Sequence, residues 1–235
     1  MCVPKTHNPT HPEGYRPLTV MNTDFNLLSR IITNRLRTWP DDLINRRKHF
    51  GLYGNNILGS IAVIRETVAL AELTGTPTYI FSLDFKEAFD NIAGHFYLFA
   101  VLQKYGFSKT FQHRIRRMYV RATSHVQVNG YISKPIHINC SVRQGCPLSM
   151  LLSMTCLHPL LYLLNEKLAS PSSRDPICRP AVIVYADDIT VILRSPDDVA
   201  ILQETSDRYT EASGANLIVA KSRQWPWAPG TLRMA

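Results

Sequence analysis

Ala181 to Leu193 reads AVIVYADDITVIL. Apolar and aromatic residues run into Asp187-Asp188, and a mostly β-branched run leads out again. Runs this short and this rich in Val, Ile and Thr read as strands buried on both faces. The two acids occupy the place where such a segment turns. A buried hairpin with adjacent carboxylates at its turn is costly unless a positive group binds there, because unpaired buried charge is strongly disfavoured. A divalent metal ion is the simplest partner. An Asp-rich turn open to water satisfies the same letters, since Asp favours turns. Taken alone, the stretch fits both readings.

Composition narrows the partners. The chain has 235 residues, 45% hydrophobic and 19% charged, as an ordinary globular protein does. That length buries a real core in one large domain or two lobes. Its 26 Lys and Arg exceed 18 Asp and Glu, giving a net charge of +8. The sequence pI is near 9.4, which points to a polyanionic partner, most simply nucleic acid. Five cysteines (Cys2, Cys140, Cys146, Cys156 and Cys178) are odd in number and include no C-x-x-C pair. They argue against structural zinc or a disulfide framework and for a reducing compartment. His7 and His11 have helical spacing, but Pro9 and Pro12 argue against a helix and so against a His pair for metal. No signal peptide opens the chain. The longest apolar run, Met150 to Leu164, is interrupted by His158 and Pro159 and is too short to span a bilayer. The expectation is a soluble intracellular protein, of nucleus or cytoplasm, with no membrane partner.

Along the chain, residues 1 to 17 read as an extended loop carrying Lys5 and Arg16. Thr23 is placed to cap a helix from Asp24 to about Trp39, with Phe25, Leu28, Ile31, Ile32 and Leu36 on one face. A second helix is expected from about Asn55 to Thr74, stopped by Gly75 and Pro77. Tyr79 to Leu83 reads as a short buried strand that delivers Asp84 to its end. Gly94 to Tyr105 reads as helix. Ser108 caps another, from Lys109 to about Arg121, carrying Arg114, Arg116, Arg117 and Arg121. His125 to Asn139 alternates on either side of Asn129-Gly130, as a hairpin does. The loop Ser141 to Ser149 leads into a helix through Lys167, bent at Pro159. After the AVIVYADDITVIL hairpin, Pro196 to Ser213 is helical and Gly214 ends it. Strands interleaved with hairpins and helices make this an α+β protein with an antiparallel sheet.

Asp84 and Asp187-Asp188 are far apart in sequence, so only a fold can join them. If their strands are neighbours, three carboxylates converge at one edge of the sheet. Such a cluster suits two Mg²⁺ ions about 4 Å apart, the arrangement of phosphoryl transfer. A glycosidase-like acid/base pair is the competing chemistry, but it leaves the basic excess unexplained.

At this point the chain resembles a family. Tyr185-Ala186-Asp187-Asp188 between apolar strands is similar to the catalytic hairpin of reverse transcriptases. Val3-Pro4-Lys5, Tyr15-Arg16-Pro17-Leu18 and a helix ending Asn34-Arg35-Leu36 resemble the fingers motifs of the non-LTR, LINE-type retrotransposon enzymes. Leu83-Asp84-Phe85 through Ala88-Phe89-Asp90 resembles the first palm motif, and Arg143-Gln144-Gly145-Cys146-Pro147-Leu148-Ser149 the second. The YADD hairpin is the third, and Ser213-Gly214 with Lys221-Ser222 the fourth. The motifs occur in family order across residues 3 to 222.

The resemblance implies a right-hand polymerase fold of fingers and palm, with an antiparallel palm sheet, packed helices and the thumb absent. The whole chain, 1–235, is then one reverse transcriptase domain. Residues 1–75 are mainly fingers, and 76–235 mainly palm with fingers segments between the first and second palm motifs. The implied activity is RNA-directed DNA polymerisation, with an RNA template, a DNA primer and dNTPs as partners. Two Mg²⁺ ions, or Mn²⁺ in their place, are implied as cofactor. Asp84 and Asp187 become the main metal ligands, Asp188 a weaker or positioning one, and Phe85 offers its backbone carbonyl. Phe89 matches the aromatic that sits under the sugar and excludes a 2′-hydroxyl; plain core packing would use the same residue. Lys5 and Arg16 would hold the triphosphate, Arg through its fork. Gln144 and Gly145 line the incoming nucleotide, Gly145 by permitting close backbone approach. Lys221 matches a lysine proposed to protonate pyrophosphate. Arg114, Arg116, Arg117 and Arg121 would track phosphates, and Arg143 and Tyr185 would lie beside the nucleic acid. Solvated faces and loops account for such cations equally simply.

Three positions depart from the family. Asn55 follows Gly54 where an arginine is usual, Met150 replaces a proline, and Ile218 replaces an asparagine. Two other readings remain: a shortened remnant that binds nucleic acid and catalyses nothing, and a reverse transcriptase of the group II intron or telomerase type.

Overall fold

The computed structural model describes residues 2–4, 7, 9–11, 14–17, 19–37, 57–75, 77–86, 94–128, 130–138, 142–143, 145–168, 181–185 and 188–218. Two compact units share the chain. One holds Met1–Trp39 and Phe89–Cys156, and the other Pro40–Ala88 and Leu157–Ala235.

The first unit opens with two short strands, β1 (Cys2–Pro4) and β2 (Tyr15–Pro17), paired antiparallel with Val3 opposite Arg16. The extended N-terminal loop is therefore a ladder closed over an intervening loop. Helix α1 (Thr23–Arg37) follows. Thr23 is its first residue and not its cap; the backbone N–H of Asn26 donates to the Asn22 carbonyl. The expected apolar face is also shifted. Ser29, Ile32, Thr33 and Leu36 are buried, whereas Leu28 and Ile31 are 45% and 43% exposed. Small hydroxyl residues, which allow close approach, occupy the inward stripe.

Helices α3 (Gly94–Lys104) and α4 (Lys109–Tyr119) pack on each other. Leu98, Val101, Leu102, Ile115 and Met118 are buried, and Phe107 stacks on Phe111 at 4.9 Å. Ser108 caps α4 as its sequence predicts: its hydroxyl accepts from the Phe111 N–H at 3.3 Å. The helix ends at Tyr119, however, so Arg121 lies beyond it, with φ 62. The expected hairpin is present as two ladders. β4 (Ala122–Ser124) pairs β7 (Ile136–Ile138), and β5 (Gln127–Val128) pairs β6 (Tyr131–Ile132). Their registers differ by one residue, the extra residue falling at Lys134-Pro135. There proline lacks an N–H for the ladder.

Helix α5 (Pro147–Leu168) begins in the first unit and ends in the second. Leu148, Leu152, Cys156, Leu160, Leu164 and Leu168 form a buried stripe at four-residue spacing. It continues through Pro159, whose ring removes one helical N–H. The Tyr97 phenol donates to the Cys156 carbonyl at 3.2 Å, beside that break. The apolar run was expected to be too short for a bilayer, yet the helix has 22 residues. Among the described residues it is long and apolar enough, by length and composition alone, to cross a membrane. Its buried stripe is that of a core helix.

The second unit is built on a four-stranded antiparallel sheet, ordered β10-β3-β9-β8. Its strands are β3 (Tyr79–Lys86), β8 (Ala181–Tyr185), β9 (Asp188–Leu193) and β10 (Asn216–Ile218). Phe81, Leu83, Ile183, Val184, Ile189, Val191, Ile192 and Leu193 form its core. These are the β-branched and apolar side chains that fit a pleated, covered surface. Helix α2 (Ile57–Thr74) packs on β8. Its buried residues are Ser60 and Ala71, with Leu58 and Ile61 exposed. Asn55, the position of one family departure, lies outside the described residues.

Helix α6 (Pro196–Ser213) is started and stopped by its sequence. The Ser195 hydroxyl accepts from the Asp198 N–H at 3.1 Å, and Asp198 accepts back from the N–H groups of Ser195 and Arg194. Gly214 ends the helix at φ 66, a left-handed conformation glycine adopts without strain. Strand β10, which the sequence pattern does not announce, then returns to the sheet.

Candidate active site

The sheet decides which acid-bearing strands are neighbours. β3 is central, flanked by β9 on one edge and β10 on the other. Its pairing with β9 runs from Tyr79↔Leu193 to Leu83↔Ile189. One step further along this register stand Asp84 and Asp188. The β8–β9 pairing closes on Tyr185↔Asp188, so Asp188 opens β9 opposite the end of β8. The two residues between Tyr185 and Asp188, Ala186 and Asp187, lie outside the described residues. On its other edge β3 pairs β10, with Asp84↔Ile218 and Phe85↔Leu217. Asp84 was expected at a strand end; it lies within the strand instead. The reason is β10, whose pairing extends β3 through Lys86 after its partnership with β9 has stopped.

Asp188 is exposed. Among the described residues no three His, Cys, Asp or Glu side chains gather as a metal site. The third expected ligand, Asp187, falls outside that set. The donor chemistry still fits a hard divalent cation: carboxylates and a backbone carbonyl from neighbouring strands are oxygen ligands throughout.

The loop of the second palm motif is anchored within the first unit. Gly145 has φ 96, and an added Cβ there would meet the Thr19 carbonyl oxygen at 3.5 Å, so glycine is required by the backbone more than by space. The Cys146 N–H donates to the Arg143 carbonyl at 3.1 Å, and its thiol contacts the Ser29 hydroxyl of α1 at 3.4 Å. Ser149 and the Tyr119 phenol share a buried hydrogen bond of 3.3 Å. Burial pushes the Tyr119 phenol well above its ordinary range, which keeps its proton on. Arg143 lies over Phe25 at 4.5 Å and near Tyr119 at 5.9 Å. Sequence reasoning named Arg143 but not the two rings that hold it.

The remaining expected residues divide as follows. Arg16 sits on β2 opposite Val3, Tyr185 ends β8, and Phe85 stands on β3. Lys5, Phe89, Gln144 and Lys221 lie outside the described residues. Arg114 and Arg117 are exposed on α4, and Arg116 packs its guanidinium over Phe99 at 4.5 Å. Arg121, also exposed, is not part of that helical face.

Known proteins bear on this arrangement. The chain matches the family model described as reverse transcriptase (RNA-dependent DNA polymerase) over residues 3–229. It is 30% identical over 210 residues to the Transposon TX1 uncharacterized 149 kDa protein of Xenopus laevis, covering 89% of this chain and 16% of that protein. It is 28% identical over 160 residues to the Retrovirus-related Pol polyprotein from type-1 retrotransposable element R2 of Popillia japonica. That match covers 68% of this chain and 26% of the relative. The chain thus spans about a sixth to a quarter of the length of these curated relatives. Among solved structures it resembles telomerase from Candida tropicalis in complex with a fragment of telomeric RNA. The TM-score is 0.61 at 14% identity, over 88% of this chain and 34% of that one. The apo telomerase of the same organism gives a TM-score of 0.59, again at 14% identity, covering 89% of this chain and 37% of that one. At such identity the likeness is one of fold, the right-hand polymerase fold. The chain belongs to the reverse transcriptase (RNA-dependent DNA polymerase) family.

Proposed function

We propose that this chain is the polymerase segment of a non-LTR retrotransposon reverse transcriptase. It adds deoxynucleotides to a DNA primer 3′-hydroxyl on an RNA template. The observation that supports the reading is the register of the central sheet: Leu83 pairs Ile189, one residue short of Asp84 and of Asp188, and Tyr185 pairs Asp188 at the end of β8. Asp84, Asp187, Asp188 and the Phe85 carbonyl would hold two Mg²⁺ ions. When bound, such ions supply charge neutralisation at the attacking and leaving oxygens of an in-line displacement.

The other assignments follow from residue chemistry. Lys5 and Arg16 hold the triphosphate by charge-assisted hydrogen bonds. Gly145 keeps the backbone of the second palm motif close to the nucleotide, with Gln144 beside it. Phe89 excludes a 2′-hydroxyl by bulk, and Lys221 donates a proton to leaving pyrophosphate. Arg114, Arg117 and Arg121 neutralise backbone phosphates, and Tyr185 adjoins the primer end. Residues 1–75 serve mainly as fingers and the rest mainly as palm.

The test is Mg²⁺-dependent primer extension on an RNA template by the chain supplied with a thumb domain. The expected outcome is extension by the wild type and none by Asp187→Ala, with template-primer binding kept by both. Binding without extension in the wild type would sink the catalytic reading and leave a nucleic-acid-binding chain.

A further inference from the structure

Helix α4 buries three side chains, Ile115, Met118 and Tyr119. Tyr119 alone of the three carries a strong hydrogen-bonding group. It is 1% exposed. Apolar packing does not call for its hydroxyl, since phenylalanine would supply the same ring. The phenol instead meets the Ser149 hydroxyl at 3.3 Å, 30 residues along the chain. The Arg143 guanidinium stands over the ring of the same tyrosine at 5.9 Å. Arg143 and Ser149 are the first and last residues of the second palm-motif loop. One buried side chain therefore bears on both ends of that loop.

The backbone between the two ends closes in successive turns. The Cys146 N–H donates to the Arg143 carbonyl at 3.1 Å, and the Ser149 N–H to the Cys146 carbonyl at 3.1 Å. Midway, the Cys146 thiol is tied to Ser29 of α1 at 3.4 Å. The Tyr119 ring is itself held by His95 of α3 in a T-shaped contact, centroids 5.8 Å apart. Burial raises the phenol above its ordinary range, so the pair with Ser149 stays uncharged. Two neutral hydroxyls in a dry interior add little net stability, because each gives up water to meet the other. What a satisfied buried pair supplies is position, fixing one atom against another where apolar contact lets it slide.

We propose that Tyr119 is a positioning residue for the incoming nucleotide. Its phenol and ring fix the two ends of the loop, and so set where Gln144 and the Gly145 backbone stand. The inference rests on the reading of that loop as lining the nucleotide. Tyr119 is buried and acts only through the loop. Its loss weakens nucleotide binding in ground and transition state alike, and the chemical step keeps its rate once the nucleotide is bound.

The experiment is steady-state primer extension on RNA by the chain supplied with a thumb domain. Wild type is compared with Tyr119→Phe, with the double variant Tyr119→Phe/Ser149→Ala, and with Tyr97→Phe. The last removes a phenol that donates to the Cys156 carbonyl and not to the loop. KM for dNTP is expected to rise about 5-fold in the first two variants, the scale of one hydrogen bond, with kcat within about 2-fold. Tyr97→Phe should leave KM unchanged. Tyr119→Phe strands the buried Ser149 hydroxyl and should lower the melting temperature by about 3 °C, which the double variant, with both polar partners gone, should recover. A merely structural role predicts that KM recovers together with the melting temperature in the double variant. That result overturns the proposal, as does a fall in kcat at unchanged KM. Hydrogen exchange at the Cys146 and Ser149 amides should quicken in both loop variants, and unchanged exchange overturns the tie with or without catalysis. A wild type that does not extend sinks the polymerase reading and the nucleotide role with it, leaving the exchange to decide the tie.

Discussion

Removing one acid from the YADD hairpin should stabilise the metal-free protein and destabilise the metal-bound one relative to the wild type. The perturbation is Asp188→Asn. Asp84 and Asp188 each stand one residue beyond the Leu83↔Ile189 pair, so continuing that register would set them opposite each other. Such neighbours hold their Cα atoms about 4.5–5.5 Å apart. Two like charges about 6 Å apart repel by about 0.7 kcal/mol at the dielectric of water and about 2.8 kcal/mol at an effective value of 20. Asp188 is exposed, so the lower end applies, about 1 kcal/mol. Relief of that repulsion should raise the melting temperature by about 2–4 °C in a chain of this size. A divalent ion at a hundredfold its dissociation constant adds about 2.7 kcal/mol to the wild type, and the variant, short of one ligand, gains less. The two proteins should therefore exchange rank between chelator and Mg²⁺. Differential scanning fluorimetry at neutral pH reads this crossing, with Asp207→Asn, an exposed acid of α6, as the charge control. A lower melting temperature for Asp188→Asn in chelator refutes the reasoning, as does an equal response of both proteins to Mg²⁺.

Ser195→Ala removes the acceptor for the Asp198 N–H and half of the capping box. A cost of about 1 kcal/mol is expected, with Ser195→Thr close to the wild type in urea titrations; no difference between the two substitutions would remove the cap from the account. His95 is held below its ordinary value of 6.5 first by burial and then by the Arg143 charge. The unfolded chain therefore takes a proton that the folded chain refuses as pH falls below about 6.5. Stability is full above that pH and declines below it, and the decline should be shallower in His95→Phe, measured by melting temperature against pH. An unchanged slope in the variant would assign the acid sensitivity to other groups.

Much of the fold is legible because its signals are local. Ser108 and Ser195 mark helix starts through their hydroxyls, Gly106 and Gly214 mark helix ends through left-handed backbone, and the structure uses each of them so. Asn129-Gly130 between alternating residues specifies a two-residue hairpin turn, which the Val128↔Tyr131 register provides. Where the reading failed, the deciding partner was distant. Leu28 and Ile31 have the right spacing to be buried, yet the inward face of α1 is the hydroxyl-bearing one. One of its residues, Ser29, meets Cys146, which is more than a hundred residues away. Three residues of β10 carry too short a pattern to announce a strand, and become one because the open edge of β3 supplies hydrogen bonds. The same pairing keeps Asp84 inside its strand.

The sequence by itself determined the chemistry on offer: an acidic pair bounded by two buried strands, a third acid behind Leu83, and a basic excess. Spacing, β-branching and turn residues act over a few positions, so they can be read from one. The tertiary structure decided what those groups face. Antiparallel register, a property of two chain segments and not of either, sets Leu83 opposite Ile189 and Tyr185 opposite Asp188, so the acid-bearing strands are neighbours. Packing of α1 and α4 against the second palm-motif loop turned Arg143 from a loop cation into one held on Phe25 and Tyr119, at the edge of a cavity no linear pattern contains.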